Sequence, residues 1–309
     1  MIMAAPRIPF TVIGGFLGAG KTTLLNRLLQ NASPRRLAVL VNDFGSINLD
    51  AAAIAAVHGD TIALTNGCVC CSIGDDLSRA LIRVIEAHPP FDGIIIEASG
   101  VSDPWRIAQL GMAAPELRLD AVVVVADAAA LRAQAADPLL ADGLRQQLRR
   151  ADWVLLNKAE LLDAQALEDL QSWVSQLSEG RPCVAASYGA VPQDLLTGTA
   201  WPPFERPAQT DGAGFLASQF ETWSHRPGGS FPLAAWHAWL AQVPAGLLRL
   251  KGWVQTSDGG WYELQVAGLR SSWQPLHSAP APSSTLVAIG LRGRLPRPWL
   301  VQMPGGPGH

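Results

Sequence analysis

Hydrophobic residues in the first two-thirds of the chain follow two alternating patterns. Short continuous apolar runs predict strands that are covered on both faces. These strands are expected at Ile8–Ile13, Leu37–Val41, Thr61–Leu64, Gly93–Glu97, Ala121–Ala126, Trp153–Asn157 and Pro182–Ala185. Between the strands, apolar residues recur at helical spacing. The expected helices are Thr22–Gln30, Asp75–Ala87, Trp105–Gly111, Pro138–Ala151 and Ala164–Leu177.

Strands that alternate with helices in this way predict an α/β domain built on a mostly parallel sheet. We place this domain at residues 1–197. In such sheets, ligands bind at the carboxyl ends of the strands. Functional residues are therefore expected directly after the predicted strands.

The pattern changes after residue 197. Residues 198–214 contain three prolines and three glycines without an apolar period, which predicts a linker. Residues 215–303 predict a smaller α+β domain with an antiparallel sheet, in which tryptophans serve core and interface packing. Its expected elements are the strands Phe215–Trp223, Leu247–Gln255, Trp261–Val266 and Thr285–Gly290 and the helix Phe231–Ala241. Residues 304–309 are expected to form a disordered tail.

Composition excludes several classes of protein. The 309 residues are 49% hydrophobic and 16% charged, as in a globular protein. A net charge of −3 gives no signal for a nucleic-acid or membrane partner. The apolar run Ala121–Ala126 is too short to cross a bilayer, and the N-terminus does not resemble a signal peptide. Three of the four cysteines lie within four residues, which suits a metal or redox site in a reducing cytoplasm.

Residues 15–22 match the complete phosphate-binding motif G-x-x-x-x-G-K-[ST], between a predicted strand and a predicted helix. The backbone N–H groups of a glycine-rich turn and a helix N-terminus bind phosphate. Lys21 is expected to reach the β- and γ-phosphates, and the Thr22 hydroxyl is expected to ligate Mg²⁺. Further nucleotide contacts are expected from Gly15, Gly18, Ala19, Gly20 and Thr23.

Residues after two further strands complete the expected phosphate site. Glu97 ends the strand Gly93–Glu97, where phosphate-loop enzymes place an acid that faces Mg²⁺. Gly100, just beyond it, can offer its N–H group to the γ-phosphate. Asp43 follows the strand Leu37–Val41 and could hold a Mg²⁺-bound or attacking water. Because Asn-Asp-x-Gly is also an ordinary turn, the role of Asp43 stays open at this point.

The segment Asn157-Lys158-Ala159-Glu160 has the form N-K-x-E and follows a predicted strand. In the related motif N-K-x-D, the carboxylate accepts hydrogen bonds from N1–H and the exocyclic amine of guanine. A buried unpaired donor costs about 1–3 kcal/mol, which separates guanine from adenine. Glu160 is one methylene longer than the usual aspartate. Ser187 is expected in a backbone wall for the base. Because N-K-x-E also occurs by chance, ATP use is the alternative.

Cys68, Cys70 and Cys71 form the second candidate site. The turn that Asn66-Gly67 favours can bring three thiols to one ion. Thiolates select zinc, copper(I), cobalt or iron–sulfur chemistry, and three ligands leave a fourth position open for transfer. Burial as small hydrophobes, or a redox pair, is the alternative. Cys183 lies in a predicted strand and is assigned to packing.

Five segments in this order resemble the CobW-type GTPases, which are proposed metallochaperones: GGFLGAGKTTLLN, VNDFGSINLD, LTNGCVCCSIGDDL, FDGIIIEASGVSDP and NKAE. Residues 248–252 and 288–290 are similar to the C-terminal domain of that family. The resemblance implies Mg²⁺-dependent GTP hydrolysis, with Lys21, Thr22 and Glu97 in the roles given above. It also implies that the three clustered cysteines bind zinc or cobalt.

The chain departs from the family pattern at three points. Glu160 replaces the usual aspartate, which bears on guanine specificity. Ser46 stands where many members carry a glutamate close to the metal, so a carboxylate ligand is missing there. The chain has no histidine-rich stretch, so storage of many metal ions is not expected.

These residues predict a cytoplasmic GTPase that holds zinc or cobalt and delivers it to a client metalloprotein. The cysteines lie in sequence between the candidate γ-phosphate sensors, 42–48 and 97–103, so nucleotide and metal should be coupled. The alternatives are a metal-binding adaptor or buffer with negligible turnover and an ATP-using phosphate-loop protein. No nucleic-acid or membrane partner is expected, and a homodimer is compatible with the sequence.

Overall fold

The computed structural model describes residues 7–30, 36–42, 61–64, 73–98, 100, 102–196, 220–244, 246–276 and 283–306. The described residues up to 196 belong to one compact unit, and those from 220 onward belong to a second. Residues 197–219 lie outside the described part of the chain, so the exact limits of the two domains and the linker stay predictions.

The first unit is an α/β domain. Its strands are β1 (Ile8–Gly14), β2 (Leu37–Asn42), β3 (Thr61–Leu64), β4 (Gly93–Glu97), β5 (Leu117–Asp127), β6 (Trp153–Asn157) and β7 (Cys183–Ala185). Its helices are α1 (Lys21–Gln30), α2 (Ile73–Ile85), α3 (Pro104–Met112), α4 (Leu131–Ala136), α5 (Ala141–Arg150), α6 (Ala164–Leu177) and α7 (Gln193–Leu196). All seven strands pair in parallel in the order β3-β2-β4-β1-β5-β6-β7. The predicted fold class is confirmed for this unit.

Most positions of the strands are apolar because both faces of the sheet are covered by packed side chains. On one face, α2 and α3 pack against β1 and β4 through residues such as Leu77 and Ile107. Further along the sheet, Leu148 of α5 and Val174 of α6 pack against β5 and β6. The intervening side chains of β5, such as Val123, are also fully buried. Continuous apolar runs are typical of strands in this environment.

Helix α3 lies very close to β1. A Cβ atom added at Gly111 would lie 2.5 Å from the Phe10 ring, and one added at Gly14 would lie 2.2 Å from the Pro104 side chain. Because real Cβ atoms do not approach other atoms so closely, both positions require glycine. These contacts place the first turn of α3 beside the end of β1, where the phosphate-binding motif begins.

One predicted helix of the first unit is wrong in its extent. The helix expected at Pro138–Ala151 begins only at Ala141, and a separate helix, α4, precedes it. Asp137 ends α4 in an extended conformation, with φ −75° and ψ 119°. A residue before proline avoids the helical region, and the Asp137 carboxylate accepts a hydrogen bond from Leu139 N at 2.8 Å. The turn 138–140 therefore separates the two helices.

The second unit contains a five-stranded antiparallel sheet in the order β11-β10-β9-β12-β8. Its elements are β8 (Phe220–His225), α8 (Leu233–Leu240), β9 (Leu247–Gln255), β10 (Trp261–Ala267), β11 (Arg270–Leu276), β12 (Thr285–Leu291) and α9 (Arg297–Val301). This confirms the smaller α+β domain. The edge strand β11 was not predicted, because its sequence RSSWQPL is polar and contains a proline.

Tryptophans join the two helices of the second unit. The rings of Trp239 in α8 and Trp299 in α9 stack with centroids 4.0 Å apart. Each indole N–H donates to the backbone carbonyl of the other residue, at 3.0 and 3.3 Å. The prediction that tryptophans serve core packing is confirmed for these residues and for Trp236, which is 1% exposed.

The carboxylate of Glu221 links strand β8 to the loop that precedes α9. Glu221 of β8 accepts hydrogen bonds from the Gly293 and Leu295 N–H groups and from the Arg297 guanidinium. The hydrogen bond from Arg297 is the largest contribution that lowers the pKa of the Glu221 carboxyl below its ordinary value. These bonds hold the loop before α9 against the edge strand.

The predicted disordered tail is wrong for residues 304–306. Pro304 and Gly306 are buried, and Gly228 N donates to Gly305 O at 3.2 Å. The chain is held there because the apolar side chain of Met303 is fully buried in the core of the second unit. Residues 307–309 lie outside the described part. Among the described residues, no helix has both the length and the apolar character needed to cross a membrane.

Candidate nucleotide site

The phosphate-binding motif forms the turn between β1 and α1, as predicted. Gly15, Gly18 and Gly20 have φ values of +127°, +77° and +95°, in the region that side chains disfavour. A Cβ atom at Gly15 would lie 2.0 Å from Val125 O. Ala19 is buried inside the turn, whereas Thr23 is exposed on the first turn of α1. The glycines of the motif are therefore required by backbone geometry.

Lys21 begins α1 and points its ammonium group back into the loop. Its Nζ donates to Gly15 O at 3.0 Å and to Phe16 O at 3.3 Å, and it lies 3.9 Å from Glu97 Oε1. Lys21 is 7% exposed and Glu97 is 3% exposed. The structure therefore brings together the two charged residues that the sequence places after β1 and β4. The Coulomb attraction between charges is stronger in such a buried place than in water.

Glu97 lies at the carboxyl edge of the sheet, in register with Ile13 of β1 and Val41 of β2. The half-buried Thr22, next to Lys21, supplies a hydroxyl. A hydroxyl and a carboxylate are the oxygen ligands that Mg²⁺ prefers. These residues, beside a lysine that neutralises phosphate charge, fit the Mg²⁺ ion that the resemblance implies.

Gly100 packs against the phosphate loop. A Cβ atom at Gly100 would lie 2.8 Å from Leu17 N, so only glycine allows this approach. Gly100 thus lies beside the loop where the sequence analysis expects a contact to the γ-phosphate. Asp43 lies outside the described residues, and its role stays a prediction.

Three polar residues fix the chain just after Gly100. The buried Gln147 of α5 donates to Ser102 O at 3.0 Å, and Arg150 of α5 pairs with Asp103. Asp103 also caps α3 by accepting from Trp105 N at 3.0 Å. Sequence reasoning missed these contacts, although Asp103 before Pro104 is a recognisable helix start. Gln147 and Arg150 carry no such signal because their partners are distant in sequence.

Asn157 connects the phosphate loop to the segment 186–189. Its Nδ2 donates to Ala19 O at 2.9 Å, and its Oδ1 accepts from Gly189 N at 2.8 Å. Asn157 is 2% exposed. A Cβ atom at Gly20 would lie 2.2 Å from Asn157 Nδ2, so the loop and this side chain are fitted closely together.

The position of the segment after Asn157 is fixed by its backbone conformation and by a backbone hydrogen bond. Lys158 has a left-handed conformation, with φ 62° and ψ 31°, and Ala159 N donates to Ala186 O at 3.0 Å. Glu160 follows, exposed, in the short 3-10 helix Ala159–Leu161. Half-buried Ser187 lies in the segment whose Gly189 N–H reaches Asn157. The structure therefore gathers the 157–160 and 186–189 segments beside the phosphate loop.

The position of the second candidate site, the three clustered cysteines, is not described by the structure. Cys68, Cys70 and Cys71 lie outside the described residues. Among the residues that the structure describes, no group of three His, Cys, Asp or Glu side chains could hold a metal ion. Cys183 is 7% exposed and packs in the core beside β6, so its assignment to packing is confirmed.

A parallel sheet whose first strand leads through a glycine loop into a helix that begins with lysine defines a phosphate-loop nucleotide-binding protein. Residues 9–185 match the CobW/HypB/UreG nucleotide-binding domain, and residues 220–300 match the cobalamin synthesis protein CobW C-terminal domain. Because the first match alone covers more than half of the chain, the protein belongs to the CobW/HypB/UreG family.

Several relatives are similar in sequence. "Zinc chaperone CobW" from Sinorhizobium sp is 37% identical over an alignment of 223 residues, and the match covers 62% of this chain and 62% of the relative. "Zinc-regulated GTPase metalloprotein activator 1" from Schizosaccharomyces pombe is 32% identical over an alignment of 195 residues, and the match covers 59% of this chain and 46% of the relative. The chain thus spans less than two-thirds of these relatives. The crystal structure of Zn(II)-bound YjiA GTPase from E. coli shares 22% identity, with a TM-score of 0.47, over 93% of this chain and 95% of that one.

Proposed function

We propose that this protein is a GTP-hydrolysing metallochaperone that carries zinc or cobalt to a client metalloprotein. The observation that carries the nucleotide part of this proposal is the position of Asn157. This buried side chain hydrogen-bonds the phosphate loop through Ala19 O and the 186–189 segment through Gly189 N. A nucleotide whose phosphates lie in the loop would therefore have its base near Glu160 and Ser187.

In this proposal the residues around the phosphate loop have separate roles. Lys21 neutralises charge on the transferred phosphoryl group, and Gly100 donates its N–H to the γ-phosphate. Thr22 and Glu97 would hold Mg²⁺, which when bound would neutralise phosphate charge. Asp43 would hold a Mg²⁺-bound or attacking water. Lys21 and Glu97 are already buried together, so their arrangement does not have to form during the reaction.

The proposed cargo site is Cys68, Cys70 and Cys71. Three thiolates bind zinc or cobalt and leave one position open, which suits transfer to a client. The relatives from Sinorhizobium sp and Schizosaccharomyces pombe are named as a zinc chaperone and a zinc-regulated activator, which supports zinc as the cargo. We place this activity in the cytoplasm, where adjacent thiols stay reduced.

Guanine selection by Glu160 is tested by comparing two nucleotides. We expect GTP to bind about ten- to a hundredfold more tightly than ATP, because one charged hydrogen-bond pairing is worth about 1.5–3 kcal/mol. Isothermal titration calorimetry with non-hydrolysable analogues of GTP and ATP measures both dissociation constants. Glu160→Asp, which restores the usual residue, should leave GTP affinity unchanged or improve it.

Measuring turnover together with binding distinguishes the proposed GTPase from an ATP-using protein and from an adaptor or metal buffer. Equal dissociation constants for the two nucleotides, with ATP hydrolysis, would replace guanine selection by ATP use. Tight GTP binding without turnover, with or without Zn²⁺, would instead indicate an adaptor or metal buffer. GTP hydrolysis at a rate above that of ATP supports the proposed GTPase.

A further inference from the structure

Lys158 is held by a residue that the guanine motif does not include. Its Nζ donates to Asp127 Oδ2 at 2.6 Å. The Asp127 side chain is only 13% exposed and that of Lys158 is 34% exposed. Asp127 is the last residue of β5 and pairs in register with Asn157 of β6. The acid that ends β5 therefore contacts the base that directly follows β6.

The Asp127 carboxylate is also held by hydrogen bonds from the turn that follows it, independently of Lys158. Its Oδ1 accepts hydrogen bonds from Ala129 N at 3.0 Å and from Ala130 N at 3.3 Å. Ala128 N donates to Asn157 O at 2.9 Å, which joins this turn to the end of β6. The side chain thus presents Oδ2 at a fixed place, and little conformational freedom is lost when Lys158 binds it.

The backbone conformation of Lys158 is unusual for a residue with a side chain. With φ at 62°, it occupies the left-handed region, which is unfavourable for a residue that has a Cβ atom. The backbone turn at Lys158 sets the direction of the 3-10 helix that contains Glu160. Asn157 anchors this segment on one side, at Ala19 and Gly189, and the Lys158–Asp127 pair anchors it on the other.

We propose that Asp127 is a positioning residue for base recognition: by holding Lys158, it fixes the backbone that presents Glu160 to guanine. This inference rests on the proposed guanine selection. It predicts an effect on nucleotide binding without an equal effect on chemistry, because Lys21 and Glu97 belong to α1 and β4, whereas this ion pair joins the ends of β5 and β6.

The test is Asp127→Asn, which keeps an acceptor for Ala129 N but removes the charge that holds Lys158. We expect GTP to bind about three- to tenfold more weakly, as for a partly exposed ion pair, while ATP binding is unchanged. The preference for GTP over ATP falls by the same factor. At saturating GTP, kcat stays within about twofold of wild type, so the change appears in KM.

Two further variants make the result specific. Asp137→Asn is the matched control, because Asp137 also accepts a backbone N–H, from Leu139, but lies outside the nucleotide site. It should leave both affinities unchanged. Lys158→Met should weaken GTP binding by a similar factor, and the double variant of Asp127 and Lys158 should be no weaker than either single variant.

Each outcome has one meaning. A wild-type protein that binds GTP and ATP equally would overturn guanine selection itself, and this inference with it. A wild-type preference that persists unchanged in Asp127→Asn would overturn only the role of Asp127. Equal losses for GTP and ATP, or a lowered unfolding temperature that accounts for the loss, would reduce Asp127 to a structural residue and also overturn the inference.

Discussion

Replacing Lys21 by alanine is expected to lower GTP hydrolysis by at least about a hundred- to a thousandfold, the scale seen when one charge-stabilising group is removed from an active site. The Lys21 ammonium lies inside the phosphate loop, 3.0 Å from Gly15 O. The side chain therefore does not have to change its conformation to contact a bound phosphate. A steady-state phosphate-release assay at saturating GTP measures the loss.

The substitution also removes the cation beside the buried Glu97, so folding must be measured together with activity. Breaking a buried ion pair can cost about 3–5 kcal/mol of stability. Lys21→Met keeps most of the side-chain volume and serves as a second variant, while Arg79→Ala removes an exposed cation from α2 and should retain full turnover. Wild-type turnover in a folded Lys21→Ala variant would show that the loop does not perform the hydrolysis.

Replacing Cys68, Cys70 and Cys71 together by serine is expected to abolish binding of one Zn²⁺ or Co²⁺ per chain. Thiolates are soft ligands, and serine hydroxyls do not replace them. The described part of the chain offers no cluster of three ligating side chains as a substitute. The intense thiolate-to-cobalt absorption band of the Co²⁺-loaded protein should disappear, as should the protons released when the thiols ionise on metal binding.

Cys183→Ser is the matched control for this experiment. It makes the same chemical change at a thiol that is buried in the core, so metal stoichiometry and the cobalt band should persist. Unfolding temperatures of both variants separate metal loss from misfolding. If the triple variant keeps its metal and its absorption band, the cargo site lies elsewhere in the chain.

Local sequence signals were enough to predict the sheet and the phosphate loop. Strands such as Gly93–Glu97 and Trp153–Asn157 begin and end where expected, because a parallel strand covered on both faces is a continuous apolar run up to its polar last residue. The meeting of Lys21 and Glu97 also follows from the sequence, since parallel strands end at one edge of the sheet.

Features that depend on distant partners were not predicted. The hydrogen bonds of Asn157 to Ala19 and Gly189 join segments far apart in the chain, and no local pattern encodes them. The same applies to the ion pair of Lys158 with Asp127. The buried end of the second unit at Pro304–Gly306 was missed because a glycine- and proline-rich composition normally indicates disorder.

The proposed delivery cycle requires that nucleotide and metal influence each other's binding. The cysteine segment lies in sequence between Asp43 and Gly100, the two candidate sensors of the γ-phosphate. Coupling between two ligands is reciprocal and typically amounts to about 1–3 kcal/mol, or a five- to hundredfold change in affinity. GTP with Mg²⁺ should therefore tighten metal binding, and metal should tighten GTP binding by the same factor.

The most direct test is a competition between the protein and a chelator for Zn²⁺. The affinity is measured without nucleotide, with GDP, and with a non-hydrolysable GTP analogue and Mg²⁺. We predict that the GTP analogue gives the tightest binding, about five- to a hundredfold tighter than GDP, so that hydrolysis releases the metal to the client. Equal Zn²⁺ affinities in all three states would contradict the delivery cycle and leave a GTPase that only carries a metal.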